Sequence, residues 1–191
     1  MARAGRRPGP TRTKDAVLTV ARAQFAARGY AATTVRSVAA GAGVNPALVH
    51  HHFGTKDQLF LAALQLPFHP GEVIEHLLAA GPRDEFPERL VRYFVGAWRD
   101  PVTGQALQAV LRRGVSDEDS AALLRNLVEN VLLERAASVL GVPKLRVVTA
   151  MSHLIGLALA ATILRVEPLA SAGEDELVAL VAPAIRGYLT A

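Results

Sequence analysis

Between residues 33 and 58 three helix-start signals follow one another so closely that only short helices fit between them. Thr34 opens the first, ahead of an apolar face at Val35, Val38 and Ala39. Asn45 followed by Pro46 opens the second, since asparagine caps free amides and proline at the first helical position lacks only an N–H that would be unpaired anyway. Thr55-Lys56-Asp57-Gln58 is a capping box for the third. Ala42-Gly43-Val44 joins the first two, and Gly43 can take the left-handed backbone of a sharp turn. Ala39 is small where the helices should cross, and Val44, Val49 and Phe53 form an inner face. This is the spacing of a helix-turn-helix.

The rest of the chain is punctuated the same way, and strand alternation is absent. A preceding helix is expected from Thr13 as N-cap, with Asp15 in the first turn, to Arg28, stopped by Gly29, with Val17, Leu18, Ala21 and Phe25 on one face. Pro67, Pro70 and Gly71, then Gly81-Pro82, break the pattern. Asp100-Pro101 starts a helix that Gly114 stops, and Ser116-Asp117-Glu118-Asp119 starts one that ends at Gly141. Another runs from Pro143 to before Pro168, and the last begins at Ser171-Ala172-Gly173-Glu174 and is expected to kink at Pro183. The fold class is therefore all-α, with about nine helices.

Charge separates the two ends of this helical chain. Residues 1–60 carry a net +7 and residues 61–191 a net −3. One end suits a polyanion and the other does not. Residues 1–12 hold Arg3, Arg6, Arg7 and Arg12 among Gly and Pro, with no apolar run of the kind a secretory signal needs, and read as a flexible basic arm. Of the 21 basic residues 18 are Arg, the better bidentate reader of phosphate and guanine.

Val147 to Leu164 is 18 residues without a formal charge, about the length at which a membrane span becomes possible. Thr149, Ser152, His153, Gly156 and Thr162 interrupt it, so a helix buried between neighbours is the simpler reading. Ser152, Gly156 and Ala160, at i, i+4 and i+8, let another helix approach closely and mark a subunit interface.

The second helix of the turn presents Pro46, Ala47, Leu48, His50 and His51 outward, behind an N-terminus whose free amides and dipole suit a phosphate or base edge. His50, His51 and His52 do not make a metal site, because successive helical residues point about 100° apart. There is no Gly-x-Ser-x-Gly, no phosphate-cradling glycine loop, no His-Glu-x-x-His and no cysteine. No catalytic residue, metal or cofactor is assigned. Asp117-Glu118-Asp119 and Glu174-Asp175-Glu176 fall in first helical turns, where acids complement the helix dipole.

ATTVRSVAAGAGVNPALVHHHFGTKDQLF, preceded by LTVARAQFAARGY, resembles the DNA-binding region of the TetR/AcrR-type transcriptional regulators over roughly residues 13–63. The Pro-Ala-Leu-Val-His-His-His-Phe phrasing and the closing Glu-Pro-Leu-Ala and Ala-Pro-Ala-Ile segments are similar to an actinobacterial subgroup. The resemblance implies a basic arm at 1–12, a helix-turn-helix DNA-binding domain at 13–54 and a ligand-binding and dimerisation domain at 55–191. It places Thr34 at a helix cap touching phosphate and Arg36 at a base or phosphate contact. Asn45, Pro46, Ala47 and Leu48 open the recognition helix, where the last three offer apolar contact such as to a thymine methyl. His50 stands where the family usually has Tyr, His51 faces outward beside it, and His52 and Lys56 fall on phosphate-contacting positions.

The function implied is that of a cytoplasmic, nucleoid-associated homodimeric repressor on a palindromic operator in double-stranded DNA, released by a small-molecule effector. Its recognition helices would reach half-sites roughly 34–36 Å apart. The rival readings are a membrane-associated helical protein and a ligand-activated activator. Phe94, Trp98, Met151 and His153 are candidate effector contacts, with Arg99 or Arg112 as anchor.

Overall fold

The computed structural model describes residues 10–66 and 70–190, and these are helical without a strand among them. The helices are α1 (Pro10–Ala32), α2 (Val35–Gly41), α3 (Pro46–Phe53), α4 (Lys56–Leu64), α5 (Pro70–Ala79), α6 (Phe86–Arg99), α7 (Thr103–Ser116), α8 (Glu118–Leu127), α9 (Leu133–Leu140), α10 (Lys144–Ala158) and α11 (Glu174–Leu189). A π turn at Val128–Leu132 joins α8 to α9 without a break, so the described residues form ten helices. A second π turn, Leu159–Ile163, ends α10, and α11 runs through Pro183 as one helix. Arg3, Arg6 and Arg7 of the expected basic arm lie outside the described residues.

The start of α1 departs from expectation. The helix is already formed at Pro10, the first described residue, so Thr13 lies inside it rather than capping it. The expected stop at Gly29 is present: its backbone (φ 76°, ψ 171°) interrupts the helix before one further turn.

Two compact units divide the chain: residues 1–66 with 113–126, and residues 67–112 with 127–191. In the first, α1 lies against α4 and α2, with Val17, Ala21, Phe25, Val38, Ala39, Val49, Leu59 and Phe60 at 1% exposure or less. Fully burying each large apolar side chain contributes about 1.5–3 kcal/mol, so this cluster holds the short helices that could not persist alone. Polar ties fix their register. Arg22 Nε donates to the Ala63 carbonyl at 2.8 Å, and Gln24 and Ser37 make a two-way tie from α1 to α2. The buried Thr33 hydroxyl donates toward the Gly29 and Gln24 carbonyls. In the segment 113–126, the Asn126 carboxamide oxygen accepts the Tyr30 N–H at 3.0 Å.

In the second unit α6 and α11 run antiparallel, and arginines fasten both ends. Arg186 of α11 reaches the Asp84 carbonyl and Glu88 carboxylate, while Arg92 of α6 pairs with Glu174 and Asp175 (2.8 and 2.7 Å). Those acids of the α11 first turn thus bind a partner helix as well as the dipole. Between these ends lie Val91, Val95, Leu154, Leu177, Val181 and Ile185. A second cluster gathers Phe86, Leu133, Ala136, Leu140, Val142 and Val147. Arg146 of α10 donates to the Tyr188 and Gly187 carbonyls (2.7 and 2.8 Å), satisfying helix-end acceptors of α11.

The apolar helix is not buried between neighbours. Over Lys144–Ile163, long and apolar enough to cross a membrane by length and composition, only 22% of the apolar window is buried. Leu145 is 74% exposed, Leu180 on α11 is 70% exposed, and Ser152 and Gly156 face outward.

Candidate nucleic-acid interface

The three short-helix starts stand where the caps predict. Thr34 Oγ1 accepts the Ser37 N–H at 3.0 Å while Ser37 Oγ takes the Thr34 N–H, closing a capping box. Asn45 Oδ1 accepts the Ala47 N–H at 2.8 Å with Pro46 in the first turn. Thr55 and Gln58 make the reciprocal pair ahead of α4. The turn between α2 and α3 is closed by the Val44 N–H to the Ala39 carbonyl at 3.0 Å, with Gly43 at φ +66°, where glycine alone lacks the Cβ penalty.

This packing decides which face of α3 is open. Val49 is 1% exposed and turned to the core, and Pro46, Leu48, His52 and Phe53 are half-buried. Ala47, His50 and His51 are exposed and lie at i, i+3 and i+4, one stripe along the outer surface. Arg36 and Thr34 are exposed on and before α2. The His51 and His52 rings sit 5.3 Å apart and tilted, and among the described residues no three His, Asp or Glu side chains are grouped to hold a metal.

At the N-terminus of α4 the Lys56 ammonium lies over the Tyr30 ring, 4.2 Å from its centroid, and 3.4 Å from the Ala31 carbonyl. Burial lowers the Lys56 pKa, with Asp57 opposing. The Tyr30 hydroxyl donates to Asp57, and burial followed by that hydrogen bond raises the phenol pKa. Tyr30 and Asp57 therefore aim the lysine, a role that sequence reading missed. The available signals were the aromatic residue after the Gly29 stop and the acid beside Lys56 in the capping box.

The six effector candidates do not converge. Phe94 packs against the α6–α11 cluster with its ring centroid 5.8 Å from that of Trp98, whereas Met151 joins the other cluster. His153 meets the Tyr188 ring edge-on at 6.0 Å. Arg99 donates to the Ala172 carbonyl at 2.6 Å, and Arg112 is exposed with Gln108 Oε1 at 3.5 Å. A cleft of about 600 Å³ in the same unit is lined instead by Leu77, Arg89, Arg92, Tyr93, Gly96, Ala97, Thr103 and Glu174.

A capped helix, a glycine turn and a second capped helix with an open outer stripe define a helix-turn-helix protein. Comparison with known proteins gives the particular family. Residues 17–63 match the family model described as bacterial regulatory proteins, tetR family, and residues 84–189 match the tetracyclin repressor-like C-terminal domain. The chain belongs to the TetR family, whose members are transcription regulators and not enzymes.

An HTH-type transcriptional repressor of Mycobacterium tuberculosis is 42% identical over 92 residues, 46% of this chain and 47% of that protein. The chain thus spans about half the length of the curated relatives it matches. The HTH-type transcriptional repressor AcnR of Corynebacterium glutamicum is 42% identical over 53 residues, 28% of each chain. Among solved structures, a TetR-family regulator of Streptomyces coelicolor A3 is 35% identical, covering 98% of this chain and 100% of that one, with a TM-score of 0.44. A transcriptional regulator of Streptomyces coelicolor A3(2), 19% identical over 94% of this chain and 99% of its own, shares the fold with a TM-score of 0.52.

Proposed function

We propose that the protein is a cytoplasmic, nucleoid-associated homodimeric repressor that binds a palindromic operator in double-stranded DNA and releases it when a small molecule enters the C-terminal domain. The observation that carries this is the open Ala47–His50–His51 stripe on a capped, glycine-turned α3, at the end of the chain whose first 60 residues hold +7. Repressors among the relatives support the sign of regulation.

Each contact follows from the chemistry on that face. The Thr34 hydroxyl accepts within its own cap, which leaves its proton for a phosphate oxygen. Lys56, held over Tyr30, takes a phosphate, His52 takes another, and Arg36 on α2 reaches phosphate or base. Asn45 orders the first turn of α3, Pro46, Ala47 and Leu48 meet thymine methyls, and His50 and His51 face base edges. Specific binding to DNA from the gene's own upstream region tests the reading; an absence of sequence-selective shift would overturn it. Lys56→Ala is expected to weaken binding to every DNA sequence alike and to lower the salt slope by about one unit. A loss confined to the operator would contradict its phosphate role.

The dimer supplies the second recognition helix, and the exposed α10 and α11 faces support it. Leu145 and Leu180 are apolar and open, and a Cβ at Gly156 would meet nothing within 4 Å, so a second copy can approach along Ser152, Gly156 and Ala160. Gly156→Leu is expected to convert the dimer to monomer in light scattering with the fold intact by circular dichroism. An unchanged dimer mass would place the interface elsewhere. For the effector, Phe94, Trp98, Arg99, Arg112, Met151 and His153 remain proposed contacts. Release requires only that the ligand bind the DNA-incompetent arrangement better.

A further inference from the structure

His50 is joined to Gly54 in both directions. The Gly54 N–H donates to the His50 carbonyl at 2.8 Å, closing the last turn of α3, and the Gly54 carbonyl lies 2.9 Å from His50 Nδ1. Gly54 holds φ +72° and ψ −115°, a backbone that turns its carbonyl back onto the ring. A carbonyl oxygen can only accept, so the proton of the imidazole must sit on Nδ1, whatever the ring would choose in water. In the neutral ring that leaves Nε2 as a bare acceptor on an exposed side chain.

The rest of the stripe offers little to compete with it. Ala47 carries only a methyl, Pro46 has no N–H, and the Ala47 N–H is already taken by Asn45 Oδ1. Hydrogen bonding from the open face of α3 therefore falls to His50 and His51. In the major groove only adenine N6 and cytosine N4 present donors, whereas guanine O6 and N7 and thymine O4 are acceptors.

We infer that His50, held as the Nδ1–H tautomer by Gly54, selects adenine or cytosine at one operator position by accepting its exocyclic amino proton at Nε2. Guanine or thymine there would set acceptor against acceptor and leave both unpaired. This rests on the proposed reading of the chain as a DNA regulator.

The test is selection of binding sites from random duplexes at pH 8 for the full-length protein, His50→Phe and His50→Lys. One position in each half-site is expected to favour adenine or cytosine on one strand by roughly tenfold. His50→Phe should flatten that position alone, and His50→Lys, which only donates, should turn it toward guanine or thymine. A consensus identical in all three proteins would overturn the inference while leaving sequence-specific binding in place. Failure of the unaltered protein to select any sequence would overturn the regulator reading and this assignment together. Independently, ¹⁵N shifts of the neutral His50 ring in the free protein should show the proton on Nδ1; a proton on Nε2 would sink the proposal without reference to DNA.

Discussion

Phe25→Ala should unfold the helix-turn-helix unit while leaving the proposed dimer intact. Phe25 is fully buried, with its ring 4.7 Å from Phe60 in an edge contact and 6.0 Å from Tyr30 in a stacked one. Removing a buried phenylalanine costs about 3–5 kcal/mol through lost transfer energy and the cavity left behind. A domain holds about 5–15 kcal/mol in total, and a unit this small lies at the low end. The cavity would also free the Tyr30 ring, and with it the support under Lys56. Circular dichroism melting should show the first transition lowered by more than about 10 °C. Operator binding should disappear at physiological temperature, and light scattering should still report the same mass. A destabilisation below about 1 kcal/mol would mean the three aromatic rings are not the keystone of this unit.

Legibility in the sequence followed the range of the interactions concerned. Thr34, Asn45 and Thr55 were readable as caps because a side-chain oxygen and the amide it accepts lie within three residues. Gly43 was readable because a turn between two capped helices leaves it little choice of backbone. The outer stripe of α3 followed from the same spacing, since burying Val49 fixes the orientation of Ala47, His50 and His51.

What stayed hidden depends on partners distant in sequence. Phe94 and Met151 look alike as apolar helix residues, yet face different clusters. Arg92 meets Glu174 across 82 positions, and Tyr30 meets Asp57 across 27. The π turn at Val128–Leu132 has no cap, glycine or proline to announce it. The 18-residue apolar run suggested a helix buried on all sides, but one chain covers only part of it. Composition records that a side chain is apolar and is silent on whether the covering surface belongs to the same copy.

Gly104→Ala is the second change expected to have a large effect, and its sign is decided by geometry against propensity. Alanine is favoured over glycine in a helix by about 1 kcal/mol, so in open surroundings the substitution in α7 would stabilise. Gly104 is buried, however, and a Cβ there would lie 2.2 Å from the Trp98 carbonyl oxygen and 2.9 Å from its carbon. These are backbone atoms of α6 and cannot rotate aside. The connection cannot lengthen either: Asp100 Oδ1 accepts the Val102 and Thr103 N–H groups at 3.1 and 2.7 Å, and the Gly104 N–H donates to the Asp100 carbonyl at 2.8 Å. The first turn of α7 must therefore move away from the last turn of α6, at a cost of about 3 kcal/mol. Gly114, in the same helix, supplies the comparison, because a Cβ there meets Leu124 Cδ2 at 2.8 Å, the end of a side chain that can turn away. Gly114→Ala is expected within about 1 kcal/mol of the unaltered protein. Urea unfolding of the two variants measures the difference directly, and a Gly104→Ala protein as stable as its Gly114→Ala counterpart would show that α6 and α7 do not meet at this carbonyl.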